Sequence, residues 1–267
     1  MERIQLLDHG YIESVESWGS DERIIEAARM STGKGFLGWE PGKCPTCEGT
    51  KQVWDGVVGV SCQAGVNYKM CTDCGGTGNI AGDKNLLRRL WVMKHSTPFE
   101  MAGMVVEVQA PIMVFREWHR HRTQSYSEMS ARYTPLPDVN YIPTVERLMV
   151  GSDGKNRQAG TIKDAEVLTE EAAESFRDRL KIMYYNAEQL YQTALASGVP
   201  KELARVHLPV GRYSRMRASA NLRNWLGFLT LRMAEDAQYE IRTYACALCS
   251  MLTEKFPRTL ALFLEGK

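Results

Sequence analysis

Apolar positions along the chain recur with two periods, and each period predicts an element type. Residues 4–7 read as a short strand, followed by a turn at Asp8-His9-Gly10 and then a helix. Ser20 is placed to cap that helix, Asp21 and Glu22 favour its first turn, and Ile24, Ile25 and Ala28 form its apolar stripe. Between residues 33 and 82 the periodicity vanishes, and glycines and cysteines crowd together. Such a stretch cannot build a core by itself and reads as an inserted module held by metal. Helical spacing returns over residues 85–94, with Leu86, Leu87, Leu90 and Met93 on one side. Residues 104–109 alternate, with Met104, Val106 and Val108 on one face, as a half-buried strand requires. Pro111 then suits the first turn of a helix over residues 112–120. Residues 149–168 are polar and read as an exposed loop. Thr169 can cap a long amphipathic helix reaching Ser197, with Phe176, Leu180, Met183, Leu190 and Ala194 expected inward. Gly198 ends it and Pro200 opens another. A last helical pattern, broken somewhere inside, runs from about Ala218 to Lys255 through Leu222, Trp225, Leu229, Ile241, Tyr244 and Leu248. No internal repeat is visible.

Composition narrows the class. A chain of 267 residues favours one large domain, or one domain carrying a small module. A fold of this size buries roughly 70–75% of its unfolded surface, so it needs no staples. Lysine plus arginine number 33 against 32 acids, a net charge of +1. That balance excludes a general polyanion binder; any anion site must be a local cluster of arginines. Hydrophobic residues at 44% and charged residues at 24% exclude a disordered chain. With no run of 18 apolar residues and no signal pattern at Met1-Glu2-Arg3-Ile4-Gln5, the expectation is a soluble cytoplasmic protein with no membrane partner. There, seven cysteines point to metal or buried thiols before disulfides.

Candidate chemistry concentrates in residues 117–133, where Glu117, His119, Arg120, His121, Arg122, Glu128, Ser130 and Arg132 share a helix-to-loop junction. Arginine forks hold phosphates bidentately, and hydroxyls and loop amides complete an anion cradle. The competing reading is a solvated polar helix end, although Trp118 and Tyr133 set the cluster against apolar surface. A second basic set comprises Arg205, Arg212, Arg215, Arg217, Arg223 and Arg232, with Glu202 the only acid between Lys201 and Arg232. An arginine near a core face needs an anionic partner, from the protein or from a ligand. The overall charge tilts this set towards a nucleotide pocket rather than a nucleic-acid surface.

Arg120-His121-Arg122, seven residues, then Ser130 resembles the R-H-R-x7-S signature of the flavin-dependent thymidylate synthases. The resemblance extends over most of the chain outside residues 33–82. It includes Leu6-Leu7-Asp8-His9-Gly10, Ala27-Ala28-Arg29-Met30-Ser31, His95-Ser96-Thr97-Pro98-Phe99-Glu100, Gly198-Val199-Pro200 and Ala204-Arg205-Val206-His207-Leu208-Pro209. Asn221-Leu222-Arg223, Arg232 and Ala237-Gln238-Tyr239-Glu240-Ile241 also fit. The resemblance implies an α+β fold, a mixed or antiparallel sheet packed with long helices, assembled as a homotetramer. It implies reductive methylation of dUMP to dTMP, with methylenetetrahydrofolate as one-carbon donor, FAD as hydride carrier and NADPH as reductant. By that likeness Glu117, Arg120, Glu128, Ser130, Arg132, Arg205 and Arg232 hold dUMP, with Arg132 and Arg205 suited to the phosphate and Arg232 to the pyrimidine edge. Ser31, His95, Thr97, Arg120, His121, Arg122, Glu128, Asn221 and Arg223 line the flavin and folate region. Glu117 stands where many relatives carry glutamine, and Gly227 where others place asparagine or histidine.

Cys44-Pro45-Thr46-Cys47 and Cys71-Thr72-Asp73-Cys74 are C-x2-C knuckles whose four thiolates fit a tetrahedral structural zinc. The second knuckle, continuing Gly75-Gly76-Thr77-Gly78, resembles the cysteine-rich repeats of J-domain co-chaperones. The chain therefore reads as one synthase-like domain over residues 1–267 with a zinc module inserted at 33–82. A nucleic-acid or protein partner for that module stays open. Cys246 and Cys249 share the spacing, but on a helix, and read as buried small hydrophobes. Two rivals remain: a related C5 methylation or hydroxymethylation of dUMP or dCMP, and a catalytically silent zinc-dependent binding protein.

Overall fold

A computed structural model describes residues 3–54, 68–150 and 167–266. The polar stretch read as a loop at 149–168 falls mostly outside them, as does Cys62. In chain order the elements are β1 (Ile4–Leu6), β2 (Gly10–Trp18), α1 (Asp21–Arg29), β3 (Gly42–Lys43), β4 (Gln52–Trp54), β5 (Tyr68–Met70), β6 (Asn79–Ile80), α2 (Lys84–Val92), β7 (Gly103–Pro111), α3 (Ile112–Trp118) and β8 (Ser125–Glu128). They continue with α4 (Val145–Leu148), α5 (Glu170–Ala196), α6 (Lys201–Ala204), β9 (Tyr213–Asn221), α7 (Leu222–Arg232), α8 (Tyr239–Lys255) and α9 (Pro257–Glu265). The chain divides into two units: residues 1–17 with 103–254, and residues 18–102 with 255–267.

The first unit is built on a five-stranded sheet of order β1-β2-β7-β9-β8, whose β1/β2, β7/β9 and β8/β9 ladders are antiparallel. The predicted alternation of β7 holds: Met104, Val106 and Val108 are fully buried. Their register partners Ala220, Ala218 and Met216 on β9 complete that face. Against it pack Val114, Phe115, Trp118, Trp225, Phe228 and Leu229 from α3 and α7, all buried. Trp118 lies 4.7 Å from the Phe228 ring and 6.4 Å from Trp225, and the Trp225 indole donates to the Met104 carbonyl at 3.0 Å. Removing one such aromatic costs about 3–5 kcal/mol, so this cluster fixes where α3 and α7 lie on the sheet.

Three expectations need correcting here. Residues 218–221 are strand rather than helix, because β9 is paired residue by residue with β7 and the helix starts only after Asn221. The helix after Pro111 stops at Trp118, with Pro111 serving as its N-cap. On α5 the Thr169 cap is as predicted, but Phe176, Met183 and Leu190 are exposed and Leu180 and Ala194 only half-buried. The helix docks instead through Ala173, Glu188 and Tyr191, with the Glu188 carboxylate 2.7 Å from the buried Arg212 guanidinium. A buried arginine has to be matched by charge, and that requirement overrides the apolar stripe.

In the second unit, Ile24, Ile25, Leu87, Leu90, Phe99, Leu260 and Phe263 form the core. Ser20 caps α1 as expected. The buried Asp21 caps α9 across 238 residues, accepting from the Arg258 amide at 2.8 Å and the Thr259 hydroxyl at 2.6 Å. Leu87 and Leu90 of α2 are buried, whereas Met93 is exposed.

Gly10, in the first turn, shows how tightly the sheet of the first unit is closed. A Cβ there would lie 2.0 Å from the Tyr244 hydroxyl, which itself donates to the Gln109 carbonyl at 2.7 Å. Gly10→Ala is expected to destabilise the chain by about 1–3 kcal/mol, read as a lowered denaturation midpoint. Tyr244→Phe in the same chain should recover part of that loss. An unchanged midpoint for Gly10→Ala would mean that Tyr244 yields freely.

Candidate active site

The turn that follows α3 carries the R-H-R signature, and three anchors hold it. The buried Trp118 indole donates to Gln124 Oε1 at 3.0 Å. The Tyr126 hydroxyl donates to the His121 carbonyl at 2.6 Å and lies 3.1 Å from the Trp118 carbonyl. From α7, whose N-cap is the Asn221 side chain, the Asn224 side-chain Nδ2 donates to the Thr123 carbonyl at 2.9 Å. A polar turn is thus tied on both sides to the aromatic core.

Arg232 closes α7 at its C-terminal end, where a cation is favoured by the helix dipole. Its Nε donates to His121 Nε2 at 2.9 Å, Nη1 to Glu117 Oε2 at 2.9 Å, and Nη2 to the Glu117 carbonyl at 3.0 Å. A guanidinium carries five N–H donors and no acceptor. The three contacts fix its plane and leave one N–H on each terminal nitrogen for another acceptor. His121 must therefore accept at Nε2 and carry its proton on Nδ1. Burial beside the Phe228 ring, 4.8 Å away, pushes its pKa down to about 4, and the Arg232 cation pushes the same way. The imidazole is neutral at physiological pH. The Arg232 contacts bring together residues more than 110 positions apart in sequence.

The other predicted residues are distributed as follows. Arg120 and Arg122 are exposed on the turn after α3, and Arg223 is exposed in the first turn of α7. Ser130 accepts from the Arg132 amide at 3.3 Å, and the Arg132 guanidinium reaches Glu202 at 3.1 Å in an exposed pair. Arg205 is half-buried directly after α6. Glu128 ends β8 and lines a cleft of about 430 Å³ with Glu107, Ser127, Arg215 and Arg217. In the second unit, His95 and Thr97 line an apolar cavity of about 360 Å³ with Ala27, Ala28, Leu90 and Met101. Ser31 is exposed in the short 3-10 turn that follows α1.

The second basic set is not one pocket. Arg212 is fully buried and its anions belong to the protein, Glu188 at 2.7 Å and Asp138 at 3.0 Å. Arg217 lies on the exposed sheet face, paired with Glu107 at 3.0 Å. Of the C-terminal thiols, Cys249 is buried as expected but Cys246 is exposed. Sequence reasoning missed the clamp on Arg232 and the supporting Gln124, Tyr126 and Asn224. The available signal was an arginine ending an apolar helix, which demands a partner. Four thiols of the second unit, Cys44, Cys47, Cys71 and Cys74, have sulfurs within 4.8 Å of one another and could hold a metal.

Comparison with known proteins places this geometry in context. Residues 14–258 match the family model described as Thy1, thymidylate synthase complementing protein. The chain is 32% identical to a flavin-dependent thymidylate synthase of Thermosipho africanus, over 98% of this chain and 93% of that protein. It is 33% identical to one from Thermus thermophilus, over 98% and 78%. Among solved structures it resembles a UMP/dUMP methylase, PolB, from Streptomyces cacaoi bound with 5-Br UMP. The TM-score there is 0.70 at 27% identity, covering 98% of this chain and 96% of that one.

The His121 assignment has a pH consequence. Its folded pKa lies below the ordinary 6.5, so between about 4 and 6.5 the unfolded chain binds more protons than the folded one. The stability it contributes is complete above 6.5 and is lost as pH falls towards 4. Imidazole NMR shifts should show His121 neutral, with its proton on Nδ1, down to about pH 5. Titration near 6.5 would place the ring outside the Arg232 clamp.

Proposed function

Because the chain belongs to the thymidylate synthase complementing protein family, the flavin-dependent thymidylate synthases, we propose that it methylates dUMP to dTMP. In this reading methylenetetrahydrofolate gives the one-carbon unit, FAD carries hydride and NADPH reduces the FAD. The observation that carries it is the Arg232 guanidinium, clamped by Glu117 and His121 with an N–H left on each terminal nitrogen, in a chain matched over residues 14–258.

Arg232 is the catalytic residue. A fixed guanidinium at a uracil O2/N3 edge stabilises negative charge as N3 gives up its proton, which makes C5 more nucleophilic. Because Glu117 and His121 fix its plane beforehand, little reorganisation is needed when that charge develops. Glu117, Arg120, Glu128, Ser130, Arg132 and Arg205 complete the dUMP set. Arg132 now pairs with Glu202 across an exposed contact, and such pairs are worth at most about 1 kcal/mol. A phosphate can replace that carboxylate at little cost.

The donor set also fits FAD. Arg120 and Arg122 present exposed guanidiniums suited to a diphosphate, and Asn221 and Arg223 begin α7, which the Asn224–Thr123 hydrogen bond ties to the same turn. His121, Glu128, Ser31, His95 and Thr97 complete the flavin and folate region. Bound FAD supplies the redox chemistry, and the protein supplies position and field. The homotetramer is part of this reading, supported by the exposed Phe176, Met183 and Leu190 on α5, which a subunit contact would cover. No helix among the described residues is long and apolar enough to cross a membrane.

A second reading is favoured by the PolB neighbour, described as a methylase of UMP as well as dUMP. The deciding experiment is product analysis. Purified protein should be yellow, and with dUMP, methylenetetrahydrofolate and NADPH it should yield dTMP. Parallel reactions with UMP and dCMP rank the substrates. A colourless chain that takes up no FAD would overturn the proposal.

Arg232→Ala is expected to lower turnover at saturating dUMP by about 10²–10³ while flavin content stays near normal. Equal turnover would place Arg232 outside the pyrimidine site.

Methyl transfer here should need no enzyme thiolate. Four cysteines cluster together, Cys249 is buried, and Cys246 is exposed on α8. Ser130 has a polar contact to a backbone amide, and the arginines beside it cannot serve as a base. Cys62→Ser, Cys246→Ser and Cys249→Ser should each keep most of their dTMP-forming activity. One that folds and binds FAD and dUMP yet forms no dTMP would sink this mechanism.

A further inference from the structure

We propose that Cys44, Cys47, Cys71 and Cys74 hold one zinc ion in a closed, four-coordinate structural site, independent of the methylation chemistry. The Cys44 and Cys71 sulfurs lie 3.8 Å apart and those of Cys47 and Cys74 3.7 Å apart, with all four within 4.8 Å. Zinc–sulfur bonds of about 2.3 Å in a tetrahedron set sulfur–sulfur edges of about 3.8 Å. Two of the edges already have that length, and the remaining sulfurs lie within about an ångström of it.

The backbone around them repeats as the paired knuckles of the sequence do, each continuing to a Gly-Thr at Gly49-Thr50 and Gly76-Thr77. In the first knuckle the Thr50 hydroxyl donates to the Cys47 carbonyl at 2.6 Å and contacts the Gln52 carbonyl at 3.0 Å. In the second, Thr77 makes the same pair with Cys74 at 2.8 Å and Asn79 at 2.9 Å. The Cys44 amide donates to the Gly78 carbonyl and the Cys71 amide to the Lys51 carbonyl, each at 2.9 Å. Positive φ falls at matching places: Glu48, Gly49 and Lys51 in one knuckle, Gly75, Gly76 and Gly78 in the other. Each half is strand, knuckle, strand, and the halves cross-pair as β3 with β6 and β4 with β5. Two non-glycine residues held at positive φ show that the turn is enforced by its context rather than by local preference.

Among the described residues little apolar packing can enforce it. The buried residues of this cluster are Cys44, Cys47 and Cys71, with Val53, Cys74 and Ile80 the described hydrophobic residues packed half-buried against them. Three buried thiols are not a core that holds some forty residues in place, whereas metal binding by preformed thiolates is itself folding free energy. The Gly78 amide, 3.3 Å from the Cys74 sulfur, offsets part of the thiolate charge. With four sulfur ligands the site has no open position, so the metal orders the module and does no chemistry on substrate.

The base of the insertion is latched separately. The buried Asp83 accepts from the Leu37 amide at 2.9 Å and from Arg29, and its own amide donates to the Gly38 carbonyl at 2.8 Å. The chain is therefore closed at residues 37–39 and 83 whether or not metal is bound. Loss of zinc should loosen what lies between these points and leave α1 and α2 in place.

The test uses the full chain, expressed with zinc and purified without chelator. Elemental analysis is expected to give about one zinc per chain, and a mercurial thiol reagent should release it. Cobalt substitution should give the intense visible bands of a tetrahedral thiolate site. Cys44→Ser with Cys71→Ser should lose the metal and gain protease cleavage confined to residues 40–82. If that variant fails to fold, the metal content and cobalt spectrum of the unmodified chain still decide. Less than a tenth of a zinc per chain, iron in its place, or a Cys44–Cys71 disulfide persisting under reductant would each overturn the proposal. None of these readouts uses dTMP formation, so the zinc assignment and the proposed function fail separately.

Discussion

The clamp on Arg232 is the contact that gives the first unit its chemical character. A guanidinium at the end of an apolar helix has to be neutralised and held, and here one carboxylate, one carbonyl and one neutral imidazole do it. For these groups to meet, α3 and α7 must lie side by side on the β7–β9 ladder. The Trp118, Trp225 and Phe228 cluster imposes that arrangement. Aromatic packing beneath the turn can hold the arginine in place while Arg120 and Arg122 on the turn stay exposed. Rigid apolar support under an exposed polar constellation is what preorganised electrostatics requires.

The neutrality of His121 follows from the same arrangement. A protonated imidazole cannot accept from Arg232 and would face a second cation across the shared contact. Burial and Arg232 therefore act in one direction, which explains why the pKa falls as far as about 4 rather than rising towards the nearby Glu117. The Glu117 carboxylate answers Arg232 first, and no second charge is left for the ring.

Local signals in the sequence located most elements, and long-range ones did not show. The Ser20 and Thr169 caps and the β7 alternation were legible because each depends on residues a few positions apart, and the four-cysteine cluster because each half carries its own C-x2-C spacing. The run from Ala218 misled because alanine and serine fit either period. Only the pairing with β7, more than 100 residues away, makes it a strand. Inward residues on α5 were misassigned because a buried ion pair, Arg212 with Glu188, decides its docking rather than its apolar stripe. Glu117, His121 and Arg232 were each named as site residues, but their mutual contact spans 111 and 115 positions and no periodicity carries it.

The insertion obeys a different economy from the rest of the chain. Elsewhere order comes from apolar area, and polar groups are placed by it. Around the four cysteines, among the described residues, Val53 and Ile80 add only half-buried apolar surface, so order there has to come from a few strong directional bonds. This explains why glycines cluster at the knuckles: thiolates can converge on one point only if the backbone turns sharply enough to aim them. The carboxylate of Asp83 ties both ends of the loop at its root, so strain generated among the knuckles has no covalent path to α1 or α2 that bypasses the latch. A loop closed at its base adds entropy cost only for its own residues, and here the base is fixed to α1 twice, by the Trp39 indole donating to Glu22 at 2.9 Å and by Arg29 donating to Asp83.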